Sequence, residues 1–328
     1  MKQDPNHAGA LHLYVHAVEA SADPQRGVVA ADRLRTLIPG SGHLVHMPAH
    51  IYSRVGRWHD AVIANQVAIA ADNDYLATCG RNAKGVYPLG YVPHNPHFLW
   101  FAASMEGASK VAQDAARTTA QRVNLPDLMR QPGFAGLQHY WMTPWFDNVR
   151  FGRWDEIRAA PNPAPDLPYV TAIWNYAQAM AAIRQGRMED ANTHYAALSK
   201  LAADPIMPTL MVWDRYPLAH AANIAERTVN AELALARGDQ AAAIAALTEA
   251  VTIEDRIPYD EPPGWHSPVR QSLGAAMLSA GRASEAEQVY RDELQRNPQN
   301  GWSLKGLALA LRQQQQTEPA LAVEKQLQ

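Results

Sequence analysis

Cysteine is almost absent from this chain. The single residue, Cys79, excludes an internal disulfide framework and any metal site built from clustered thiolates. Strong charge of either sign is also missing. The formal net charge is -3 and no basic block stands out, which argues against a nucleic-acid partner. No apolar run approaches the ~18 residues of a membrane span. There is no Gly-rich phosphate loop, no Gly-x-Ser-x-Gly elbow and no His-Glu-x-x-His. The start, Met1-Lys-Gln-Asp-Pro-Asn-His7, carries no apolar signal core, and its Asp4-Pro5-Asn6 resembles Asn297-Pro298-Gln299-Asn300, where a repeat begins. It therefore reads as a joint between helix pairs, with an upstream pair expected before it. What remains is a globular composition, 47% hydrophobic and 19% charged.

Histidine is concentrated where other chemistry is missing. Of 13 histidines, eight lie at positions 7–50 or 94–97: His7, His12, His16, His43, His46, His50, His94 and His97. Residues 12–16 read His12-Leu-Tyr-Val-His16 and residues 46–50 read His46-Met-Pro-Ala-His50. An i,i+4 pair shares one helical face, so each phrase presents two imidazoles together. The second phrase follows the first by 34 residues, a period at which equivalent helices of stacked helix pairs lie side by side. Together these predict imidazoles from adjacent helices facing one groove. The expected metal ligands are His12, His16, His46, His50, His94 and His97. His43 is read as a substrate contact or a further ligand.

Imidazole with little carboxylate and no thiolate suits copper, zinc, iron or nickel. A carboxylate-bridged di-iron bundle needs several inward Glu residues, and only Glu19 and Glu106 are at hand. Copper is favoured, as one ion or a pair, with zinc or iron as alternatives. Glu19 continues the face of His12 and His16 and is a candidate base, ligand or imidazole-orienting group. Glu106 is the second candidate catalytic carboxylate. It lies nine positions after His97, which puts the two on opposite faces of a regular helix. Tyr87 and Tyr91 are the candidate pocket aromatics. His59 follows Trp58 in a turn and reads as a surface residue, and Cys79 as a free loop thiol.

The organisation expected is all-α. Residues 1–125 form His-rich repeats carrying the metal site, and 126–328 a helical array continuous with them. Ala8–Ala20 reads as the first helix, residues 74–93 as an irregular loop, and Thr209–Ala236 as one long helical stretch with Pro217 as a kink. Tyr259, Glu261, Trp265 and Arg270 form a second polar and aromatic set, which either closes over the groove or staples a long loop.

Gly152-Arg153-Trp154-Asp155 and Gly186-Arg187-Met188-Glu189 are 34 residues apart, and Gly281-Arg282 repeats the theme. These turns, with the Asn297-Pro298 junction, resemble tetratricopeptide repeats. That implies a right-handed helical-hairpin solenoid of about seven pairs with a concave groove for a peptide or small molecule. The phrases Gly42-His43-Leu44-Val45-His46-Met47-Pro48 and His94-Asn95-x-His97-Phe98 resemble a His-rich group of bacterial tetratricopeptide proteins of no established activity. The resemblance supplies a fold and no reaction. It leaves bacterial cytoplasm or periplasm equally open. Three functions follow as expectations: a copper-dependent oxidase of a small substrate, a zinc hydrolase, or a scaffold that binds a peptide partner.

Overall fold

The computed structural model describes residues 4–79, 85, 87–131 and 133–327. The fold is all-α, with about 74% of the chain helical. It divides into two compact units, residues 1–122 with 292–304, and residues 123–291 with 305–328. Among the described residues no helix is long and apolar enough to cross a membrane.

The first unit carries α1 (Ala8–Glu19), α2 (Val28–Leu37), α3 (Gly42–His46), α4 (Pro48–Arg54), α5 (Trp58–Cys79), α6 (Val92–Glu106) and α7 (Ser109–Arg122). The His7 ring caps α1 by accepting from the Ala10 N–H at 3.2 Å, so this histidine supports the helix start. α1 packs on α2 and α4, α5 on α3, α4 and α6, and α6 on α7. Leu11, Val15, Leu34, Ile51, Tyr52 and Phe98 are buried between them. The segment 292–304 belongs here because Trp58 Nε1 donates to the Pro298 carbonyl at 2.8 Å and Trp302 Nε1 to the Ser104 carbonyl at 2.8 Å.

Two sequence expectations are corrected here. Most of the described part of 74–93 is helical: α5 continues to Cys79, Tyr87–Tyr91 forms a π-helical turn and α6 begins at Val92. Pro93 is tolerated because the first-turn N–H groups of a helix have no intrahelical acceptor. Residues 80–84 and 86 of that expected loop lie outside the described residues. The second correction concerns 209–218, which is not α-helical: a 3-10 turn ends at Thr209. Met211–Val212 pairs antiparallel with Tyr216–Pro217 as β1 and β2. The turn between them places Trp213 and Asp214 at φ 48 and 58, a left-handed conformation that no helix continues. Pro217 offers no N–H to a helix ladder, and the helix starts only at Ala219.

The second unit carries α8 (Pro126–Met129), α9 (Gly136–Trp141), α10 (Thr143–Arg150), α11 (Trp154–Arg158), α12 (Pro168–Arg184), α13 (Met188–Ala202), α14 (Ala219–Ala236), α15 (Gln240–Glu254) and α16 (Val269–Ser279). Three further helices follow in sequence: α17 (Ala283–Arg296), α18 (Gly301–Gln313) and α19 (Thr317–Glu324). α12 pairs with α13 and α14 with α15, and α12 also packs on α14. Gly152 and Gly186 close α10 and α12 at φ 68 and 72, where a side chain would be strained. Trp265 is buried against Phe146 and Tyr176, and Arg270 is fixed by Asp255 at 2.7 Å.

His139, buried in this unit, makes stability depend on pH. Its Nδ1 shares a 2.7 Å hydrogen bond with the Tyr169 hydroxyl, and burial holds its pKa down at about 4. The unfolded chain takes up the proton first, near the free imidazole value. The contribution is therefore complete above pH ~6.5, is lost as pH falls from there, and levels off once the folded protein also protonates near pH ~4; the total is roughly 3 kcal/mol. Urea unfolding at pH 7 and pH 4.5 should show the wild type losing more than His139→Gln. Equal losses would remove His139 from the account.

Candidate metal centre

The local sequence decides how each imidazole is delivered. On α1, one helical turn separates His12 from His16, and a further three residues reach Glu19 at the end of the helix. After Pro39-Gly40, the short α3 carries His43 and His46, and α4 restarts at Pro48 with His50 two residues later. The i,i+4 relation of His46 and His50 survives the join, with ring centroids 4.6 Å apart. α6 brings His94 in its first turn, 4.7 Å from the His46 ring.

These residues form two groups of three whose donor atoms lie within 4.8 Å of one another: His12, His16 and His43, and His46, His50 and His94. The groups adjoin, since the His16 and His50 rings are 5.4 Å apart and the His43 and His46 rings 6.4 Å. In the first, His12 Nε2 and His43 Nε2 are 3.1 Å apart. In the second, His46 Nε2 lies 2.7 Å from His50 Nε2 and 3.0 Å from His94 Nε2. Such groups could hold a metal ion.

Glu19 joins the two. Its Oε1 accepts from His16 Nδ1 at 2.7 Å and its Oε2 from His50 Nδ1 at 2.5 Å, so one buried carboxylate serves an imidazole in each group. His46 is fixed from behind as well. Its Nδ1 donates to Asn65 Oδ1 at 2.7 Å, and the amide orientation is set because Asn65 Nδ2 donates to the Ala61 carbonyl at 2.8 Å. His16, His46 and His50 thus carry their proton on Nδ1 and present Nε2 inward.

The electrostatics favour neutral rings. Burial first, then His50 and His94, push His46 well below the usual imidazole range, against the opposing pull of Asn65. Burial and the neighbouring His12, His50 and His16 lower His43 to about 4. His12 is lowered by burial and by His16 and His50, with Glu19 opposing. Neutral imidazole is the form that binds a metal.

Other expected residues are placed as follows. His43 stands with His12 and His16, and Tyr91 meets its ring edge-on at 4.6 Å. Tyr87 stacks on Tyr91 at 5.7 Å and donates to Asp72 Oδ1 at 2.7 Å. The structure leaves His97 and Glu106 outside the two groups. His97 is buried and stacked on Trp100 at 5.3 Å. Glu106 accepts from His59 Nδ1 at 2.8 Å.

Asp72 and Asn65 are the residues that spacing did not reveal. Asp72 Oδ2 accepts from Asn95 Nδ2 at 2.7 Å, next to His94, while its Oδ1 holds Tyr87 and abuts Gly42. A Cβ on Gly42 would sit 2.1 Å from Asp72 Oδ1 and 3.0 Å from the Ala68 carbonyl. Gly42→Ala therefore has to lift α3 from α5 or break the Asp72–Tyr87 bond. The expected loss is about 1–3 kcal/mol in chemical denaturation, and an unchanged midpoint would contradict this close approach.

Searches against protein-family models and against curated proteins find no match to this chain. The functional reading rests on the geometry alone.

Proposed function

We propose that the first unit is a metal centre and that the protein is a metalloenzyme, using copper to oxidise a small aromatic substrate with dioxygen as electron acceptor. The observation that carries the reading is the 2.7 Å contact between His46 Nε2 and His50 Nε2. That is a hydrogen-bond distance and calls for a proton between the two nitrogens. Yet Asn65 and Glu19 have already drawn each ring's proton to Nδ1. Two lone pairs therefore face each other, with His94 Nε2 as a third nitrogen at 3.0 Å from that of His46. Such a contact is repulsive unless a cation sits there. A proton serves only one pair and runs against the depressed pKa of His46. A transition metal satisfies all three nitrogens at once.

The choice of metal follows from the donors. Both Glu19 oxygens are engaged by imidazole N–H groups, which makes Glu19 an orienting group for His16 and His50. Glu106 is paired with His59. The two groups of three are all imidazole, and a donor set dominated by imidazole nitrogen suits copper ahead of iron. The same engagement of Glu19 and Glu106 leaves the zinc-hydrolase reading without its expected base. Copper held by these imidazoles would supply dioxygen binding and electron transfer. The chain positions the imidazoles, walls the inner group with the Phe98 ring, and offers Tyr91 beside His43 for an aromatic substrate. We read the helix pairs as tetratricopeptide-like on the 34-residue spacing and matching φ of Gly152 and Gly186.

The test is reconstitution of metal-free protein with copper or with zinc, followed by dioxygen uptake in the presence of a simple catechol. Uptake above that of free copper, absent with zinc, is the expected result. Binding of zinc alone, with no redox-active metal restoring uptake, would overturn the oxidation.

A further inference from the structure

Resting on the metal reading above, we infer that the two imidazole groups are unequal. His46, His50 and His94 form a closed, prearranged site that fills first and holds its metal. His12, His16 and His43 form an open site that exchanges metal and takes the exogenous ligand.

Three independent features support the division. The first is burial. His46 and His50 are 0% and 3% exposed and only His94 of the inner group is half-buried, whereas the His16 side chain is 39% exposed and His12 and His43 are half-buried. The second is preorganisation. In the inner group His46 is locked through Asn65 to the α5 backbone and His50 through Glu19, so two nitrogens already face the metal position. In the outer group, among the described residues, such support goes to His16, from Glu19. His43 Nδ1 is buried and has no hydrogen-bond partner among the described residues, so none of them fixes its tautomer at that atom. A ligand whose outer partner fixes its tautomer and orientation binds more tightly than one that must be ordered on binding. The third is the surroundings. Phe98 packs against all three inner rings, at 5.1, 5.2 and 5.8 Å, and excludes water from that side. Beside the outer group stands Tyr91, 40% exposed, against His43. A small ligand would therefore reach a metal in the outer group more readily than one in the inner group.

The experiment is a titration of metal-free protein with cobalt(II), read by its visible absorption, with azide then added as the exogenous ligand. The expected result is two steps at least about tenfold apart in affinity, with azide shifting only the spectrum of the weaker step. His12→Ala should remove the weaker step and spare the tighter one. Asn65→Leu, which keeps every imidazole, should weaken the tighter step by about 10- to 100-fold. Asn65→Leu also guards against a His46 variant that fails to fold. Two steps of equal affinity, or loss of the tighter step in His12→Ala, would overturn the inequality and leave the metal centre standing. No binding by the wild type would overturn both.

Discussion

Glu19→Gln is expected to lower metal affinity by about 10- to 100-fold, the usual cost of losing the group that orients a ligating imidazole. The argument is one of donors and acceptors. The carboxylate accepts from two imidazoles at once, His16 Nδ1 and His50 Nδ1. A carboxamide of the same shape has one accepting oxygen, and its NH2 group must face the other ring. That ring has to turn its lone pair to the amide, which moves its proton to Nε2. Its Nε2 then no longer points a lone pair at the metal, and one group loses a ligand with hardly any change in packing. Competition against a chromophoric chelator measures the effect. Near-native affinity in Glu19→Gln would mean that Glu19 does not set the tautomers.

His46→Ala should abolish most of the stabilisation that metal confers. A ligand bound only by the folded state adds RT ln(1 + [L]/Kd), about 2.7 kcal/mol at 100 times Kd. In the wild type, saturating copper should therefore raise the free energy of unfolding by about 3–4 kcal/mol. In His46→Ala the inner group keeps two nitrogens of three, and the increment should fall to that of the outer group. The metal-free proteins should differ by less than an ordinary large-to-small core change, because the substitution also removes the lone-pair contact between His46 and His50. Denaturation with and without copper reads both effects. An equal increment in the two proteins would show that His46 is no ligand.

Much of the centre could be read before any fold was known, and the reasons are local. An i,i+4 relation survives wherever the backbone is helical, and it placed His12 with His16 and His46 with His50. The all-α class was legible from helix-period patterning punctuated by Gly turns. His43 was harder to assign, because Pro39-Gly40 and Pro48 suggested an irregular approach to the helix. Instead α3 forms there and turns His43 toward His12 and His16. His97 is three residues past His94, a spacing that keeps the two on neighbouring positions of a helix, so nothing in the spacing announces that its ring stacks on Trp100 instead of joining the group. The roles of Asn65 and Asp72 follow from tertiary contact: a polar residue mid-helix carries no mark of which imidazole or amide it will meet. The hairpin at 211–217 had a local cause, two successive residues at left-handed φ, that Trp213 and Asp214 do not announce as glycines would.

Elemental analysis by mass spectrometry, on protein purified without an affinity tag and then reconstituted with copper, tests the central claim most directly. The account predicts about one to two atoms of a transition metal per chain, bound by the two imidazole groups and lost when His12 and His46 are replaced together. Protein that holds no stoichiometric metal even after reconstitution would contradict it, and would make the facing lone pairs of His46 and His50 a hydrogen-bonded histidine core.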